Sequence, residues 1–179
     1  MAANKLARKV DYAAIAATDW AYLAGIIEGE GCIRIGMQRE VKARRTLRHK
    51  LIVYVGNTDP RLIAWCRKMF SGSIHYRPAR KVQHKPAWIW EAHHQVAEEV
   101  LRRCLPYMQI KREQAEVALS FRDTFRMVVR PKMGIPADIV EMREGYRKRL
   151  MELKDQQHDP IEDVNSIHLG TWADPNTIQ

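Results

Sequence analysis

The sequence predicts an α+β domain: an αββαββα core whose four-stranded antiparallel sheet is covered by helices on one face, with additional C-terminal helices. Three observations predict it. Helical periodicity and strand alternation take turns in the order helix, strand pair, helix, strand pair, helix, helix, helix. Each strand pair is joined by a strongly polar or basic stretch. At 179 residues, 46% of them hydrophobic, the chain fits one compact domain with a core of its own.

Residues 1–17 are Ala-rich and basic and read as an N-terminal arm, loose or briefly helical. Thr18 is expected as an N-cap, with Asp19 in the first turn, where the helix dipole favours an anion. Residues 20–30 are helical, ended by Gly29 and Gly31. Residues 32–37 alternate as a strand and 47–55 as its partner, across a polar stretch. Asp59 caps a helix that Pro60 opens over 61–70, and Ser71-Gly72-Ser73 stops it. Residues 74–77 and 88–91 form the second strand pair. Helices follow over 95–104, which Pro106 breaks, and over 111–126. Gly134 and Pro136 punctuate the chain before a charged amphipathic helix over 137–155, and an irregular tail ends it. The organisation is an arm (1–17), a core (18–130) and a C-terminal helix with its tail (131–179).

Thirty Lys and Arg against twenty-one Asp and Glu give a net charge of +9, which favours a polyanionic partner. No apolar run approaches the roughly 18–20 residues that span a bilayer, which weakens a membrane surface against nucleic acid. Cys32, Cys66 and Cys104 are odd in number and unclustered, suiting reduced thiols better than a disulfide framework or a zinc site. No stretch of signal-peptide quality follows the basic N-terminus. The expected location is therefore the cytoplasm or an organellar matrix, not the exterior.

The segment Leu23-Ala24-Gly25-Ile26-Ile27-Glu28-Gly29-Glu30-Gly31 carries the chemistry. Small residues at the spacing of Gly25 and Gly29 let two helix backbones approach closely. A lone soluble helix has little use for them, since Gly costs about 1 kcal/mol against Ala. Glu28 and Glu30 oppose the dipole at the helix C-terminus, a placement better understood if a cation sits there. The plain alternative is a glycine-containing core helix with a glycine stop.

In every class of residue this segment resembles the LAGLIDADG motif of homing endonucleases, and Tyr22 before it and the Cys-Ile-Arg-Ile strand after it extend the likeness. Residues 55–61 (Val-Gly-Asn-Thr-Asp-Pro-Arg) resemble the family's strand-to-helix junction, and residues 105–115 the segment bearing its active-site lysine. The likeness spans about residues 22–121. It implies a helix that pairs with a second copy through Leu23, Ala24, Gly25, Ile27 and Glu28, with Glu30 as metal-ligating carboxylate and Gly29 lending a carbonyl. It implies Lys111 as the active-site lysine, with Arg112 as competitor for that role, and Asn57 and Arg61 as residues ordering water around the cut phosphate. Read without the likeness, Asn57 is a turn residue and Arg61 a solvated first-turn cation. The oxygen ligands suit Mg²⁺, with Mn²⁺ or Ca²⁺ able to substitute in binding. Many members carry Asp at both acid positions, so Glu here leaves the ligand type intact and alters the geometry.

The family lays its sheet in the DNA major groove, and basic residues here concentrate on the predicted strands and their loops. Period-two counting puts Arg34, Gly36 and Gln38 on one face with Arg48, Lys50 and Tyr54, as candidates for base readout. His75 and Arg77 extend the DNA-binding set, and Arg44 and Arg80 in the loops suit phosphate. A one-residue slip would exchange every strand residue with the core face. One copy of the motif supplies one acid to a site that needs two. The expectation is thus an intron-encoded, homodimeric enzyme that cuts both strands of a palindromic or near-palindromic double-stranded DNA site. A non-cleaving relative stands beside it, either an RNA-binding maturase or a transcriptional regulator. A helical interaction module would leave the basic hairpins unexplained.

Overall fold

A computed structural model describes residues 10–39, 47–79, 81–128 and 134–156. Its elements are α1 (Ala17–Glu30), β1 (Gly31–Arg39), β2 (Leu47–Asn57), α2 (Pro60–Phe70), β3 (Ser73–Arg77), β4 (Ala87–His93), α3 (His94–Cys104), α4 (Arg112–Asp123) and α5 (Ala137–Gln156). The strands form one antiparallel sheet in the order β1-β2-β4-β3, so the two hairpins meet along β2 and β4. No described helix is long and apolar enough to cross a membrane.

Alternation assigns the two faces. Ile33 and Ile35 of β1, Leu51, Val53 and Val55 of β2, and Trp90 and Ala92 of β4 are buried beneath the helices. Leu23 and Ile27 of α1, Ile63 and Phe70 of α2, Val100 and Leu101 of α3, and Phe121 of α4 close over them. Each such side chain contributes roughly 1.5–3 kcal/mol on leaving water. The Trp90 indole also donates to the Ser71 carbonyl at 2.6 Å, tying β4 to the end of α2.

Two helix boundaries differ most from expectation, the start of α1 and the end of α4. The cap of α1 is Ala16, which has no side-chain hydrogen bond, and Thr18 lies inside the first turn. Residues 12–14 are a 3-10 turn, the briefly helical alternative for this part of the arm: the Tyr12 hydroxyl donates to the Phe70 carbonyl at 3.2 Å and its ring packs near Trp20. That contact sets where the chain turns into α1. Helix α4 stops at Asp123, because the Thr124 hydroxyl bonds the Phe121 carbonyl and opens a turn.

Helix α5 belongs with the core. Leu150 joins the buried cluster, Glu144 lies 3.1 Å from Nε2 of the buried His49 on β2, and the buried Arg143 donates to the Thr124 hydroxyl at 2.8 Å.

Glu98 on α3 is the electrostatic hub. Only 6% exposed, it accepts hydrogen bonds from Arg102 (3.1 Å), Arg122 (3.0 Å) and Arg126 (2.6 Å). Burial pushes its carboxyl up, but the bonds from Arg126, Arg122 and Arg102 outweigh it and hold the pKa at about 2. This folded value lies below the unfolded one of about 4.3, so the stabilisation is present above that pH and is lost as pH falls toward 2. Glu98→Gln is expected to lower stability at neutral pH by about 3 kcal/mol and to flatten its loss on acidification, as urea unfolding between pH 7 and pH 3 would show. Some slope remains in the variant, because Arg147 and His49 hold Glu144 down at about 2 as well. An unchanged acid slope would show that the hub does not govern acid stability.

Candidate functional site

The motif helix ends in a tight corner. The Gly31 N–H closes α1 on the Ile27 carbonyl, and a Cβ at Gly31 would stand 2.6 Å from the Ile27 Cα. Only glycine lets β1 leave the helix this closely. The corner separates the two acids. Glu28 turns inward, its Oε1 accepting from the backbone N–H groups of Gln109 (2.6 Å) and Lys111 (3.1 Å). Glu30, the last helical residue, is exposed at the start of the sheet.

Lys111 is the N-cap of α4, and its Nζ donates to the carbonyls of Ile27 (2.9 Å), Glu28 (2.7 Å) and Gly31 (2.8 Å). An ammonium has three protons, and all three are used. Lys111 thus sets a cation of the chain's own on carbonyls at the helix end, where the dipole is negative. Burial pulls the Lys111 ammonium below its ordinary value, and Lys154 adds to that while Cys32, Glu28 and Glu30 oppose it.

Burial divides α1 sharply. Leu23, Ala24 and Ile27 are fully buried in their own chain, on the arc that faces the sheet, so they are not free to meet a second copy. The outward arc carries Tyr22, Gly25 and Gly29, at the spacing that stacks residues on one helix face. A Cβ at Gly25 or Gly29 would meet nothing within 4 Å. Of the residues that the likeness places at a pairing interface, Gly25 lies on this outward arc and Leu23, Ala24 and Ile27 do not. Glu28 has its own-chain role in the 109–111 turn.

At the same end of the sheet, β2 runs two residues past Val55, the partner of Gly31, to reach Asn57. The Asn57 side chain accepts from the Asp59 N–H at 2.8 Å, and Asp59 caps α2 through the Arg61 N–H at 2.9 Å. The Arg61 guanidinium, 89% exposed, pairs with Asp59 at 2.6 Å and holds that carboxyl down at about 2. The structure thus brings Glu30, Lys111 and Asn57 to one end of the sheet and directs Arg61 at its own cap.

The pairing register fixes the open face. Arg34, Gly36 and Gln38 stand opposite Ile52, Lys50 and Arg48, and Cys32 opposite Tyr54, so the period-two grouping holds. Tyr54 pairs with Glu91 on β4, which places Glu91, Ile89 and His93 on this face, and Ser73, His75 and Arg77 of β3 join them. Glu91 is flanked by His93 at 3.1 Å and His75 at 3.6 Å. The side chain of Gln38, and residues Arg44 and Arg80, lie outside the described residues.

One residue here carries no motif in the sequence. Lys154, in the last turn of α5, places its Nζ 2.9 Å from the Cys32 Sγ, and Cys32 in turn raises the pKa of Tyr54 through a hydrogen bond. The spacing of Leu150 and Leu153 reveals which side of α5 is buried, but nothing local tells what Lys154 reaches.

Neither a family model nor a curated protein matches the sequence. Solved structures match the fold. The homing endonuclease I-CvuI, in complex with an I-CreI target, superposes with TM-score 0.63 at 17% identity, over 80% of this chain and 87% of its own. The archaeal intron-encoded I-Vdi141I, complexed with DNA, gives 0.60 at 11% identity over 76% and 84%. The LAGLIDADG homing endonuclease I-SmaMI, bound to cleaved DNA, gives 0.57 at 12% identity, over 72% of this chain but 42% of its own. This chain has the LAGLIDADG homing endonuclease fold.

Proposed function

We propose that the protein is a site-specific homing endonuclease that binds double-stranded DNA as a homodimer and cuts both strands with the help of divalent metal ions. One observation carries the reading: the outward arc of α1, with Gly25 and Gly29 open to close approach, ends in the exposed carboxylate of Glu30. Self-pairing of that arc about a two-fold axis brings two Glu30 carboxylates together, one for each strand. The relatives' lengths support it, since this chain spans most of I-CvuI but 42% of I-SmaMI.

The donor set fits a hard cation. Glu30 is an exposed carboxylate, and the Gly29 carbonyl is not among the three that Lys111 takes. Oxygen ligands with room for water are what Mg²⁺ prefers, and I-CvuI was crystallised with Mg and with Ca. Bound there, Mg²⁺ would neutralise charge developing on the scissile phosphate during an in-line displacement. The chain's own residues do the rest. Arg34, Arg48, Lys50, Tyr54, His75 and Arg77 on the open face hold the duplex in register, and Lys111 keeps the end of α1 fixed so that Glu30 stays in place.

The test is selection of cleaved sites from a pool of random duplexes with Mg²⁺, alongside sedimentation. A dimer that makes a double-strand break at one sequence, and stops in EDTA, is the expected result. Binding of duplex without cutting would favour a regulator, and preference for structured RNA a maturase.

A further inference from the structure

On the reading just proposed, a side-chain cation facing the phosphate would stabilise the charge that develops there, and the ammonium of Lys111 is already engaged. Lys111 spends its three protons on carbonyls held at 2.7–2.9 Å. Turning it toward DNA would strand acceptors at the end of a helix, at a cost of about 1–3 kcal/mol for each one left unmet. Lys154 stands next to it, on the residue that follows Gly31. Among the described residues its Nζ has the Cys32 Sγ as partner at 2.9 Å, a weak acceptor, which leaves two of its protons without a described acceptor.

We infer that Lys154 of α5 is the lysine that meets the phosphate at the cut site, and that Lys111 is a positioning residue for the corner bearing Glu30. Cys32 belongs to the open face, level with Tyr54 and on the side of Arg34, two residues beyond Glu30. An ammonium held there lies where the sheet's open face meets the end of α1. The helix that delivers it is anchored at Leu150 and Leu153 in the core, at Glu144 on His49 and at Arg143 on Thr124. Lys154 is half-buried, so its charge is less screened than that of a surface lysine. The electrostatic pressure it exerts on Lys111 agrees with the closeness of the two. A lysine in a last turn also suits its own helix dipole, and the experiment separates that role from this one.

Wild-type protein first defines the cut position. Single-turnover cleavage at saturating protein should then fall about 100-fold or more in Lys154→Met and stay within about ten-fold in Lys154→Arg. Affinity is compared on two duplexes in Ca²⁺, one ordinary and one with a neutral methylphosphonate at the cut. Lys154→Met should bind the ordinary duplex several-fold more weakly than wild type and the neutral one equally well. Lys111→Met should lower the unfolding midpoint and lose the same affinity on both duplexes. If Lys154→Met proves unstable on heating, Lys154→Gln takes its place. Wild-type cutting by the neutral variant, or an equal affinity loss on the two duplexes, overturns the inference. If wild type cuts no site, the endonuclease reading fails and carries this inference with it. If Glu30→Gln is inactive while Lys154→Met cuts normally, this inference alone fails.

Discussion

Glu30→Gln is expected to reduce double-strand cleavage by at least about a thousand-fold while leaving DNA affinity within about two-fold of wild type. The reason lies in how the corner after α1 sorts its two acids. Glu28 is fixed on the backbone of Gln109 and Lys111, so its carboxylate serves the fold. Glu30 is exposed and makes no side-chain hydrogen bond among the described residues, so replacing one of its oxygens by an amide disturbs no packing. What the amide removes is the anionic ligand, and with it the charge that would hold a divalent cation against the phosphate. Thermal unfolding of the variant should match wild type, and gel-shift affinity in Ca²⁺ should be retained. Cleavage surviving at more than about a tenth of the wild-type rate would mean that another group holds the cation.

How far the sequence reads the site depends on the range of each interaction. Asp59-Pro60 foretells the start of α2 because cap and ring act on the next two residues. The grouping of Arg34, Arg48, Lys50 and Tyr54 is legible because a strand repeats every two residues and the core claims the alternate set. Helix α1 shows the opposite case. It is apolar around most of its circumference, so Gly25 and Gly29 announce a close approach without telling which arc makes it; Leu23, Ala24 and Ile27, which the likeness places at a pairing interface, face the sheet. The motif points to a metal ion at the acidic helix end and to Lys111 at the phosphate, and nothing local tells that Lys111, eighty or more residues along the chain, occupies those carbonyls. Lys154 on Cys32 spans 122 residues, and the Glu98 hub joins α3 to the end of α4; neither leaves a local pattern to count.

Gly25→Leu is expected to leave each chain folded and to abolish the proposed dimer. Within one chain the substitution meets no obstacle, since a Cβ at residue 25 has open space around it. Exchanging a helix-interior glycine for leucine should even raise monomer stability, by up to about 1 kcal/mol. In the proposed pairing the same side chain would force apart two helices that approach closely along Tyr22, Gly25 and Gly29. Sedimentation should therefore shift to a single 20.9 kDa species. Affinity for the full site should fall by a factor on the order of 100 or more, because two half-sites are then bound independently. Double-strand cleavage should vanish with it, since each monomer brings one Glu30. A variant that is more stable yet monomeric and inactive would separate folding from pairing in a single measurement. A variant that stays dimeric and cuts would place the interface elsewhere. The two glycines, each weakening its own helix, would then have no function left to explain them.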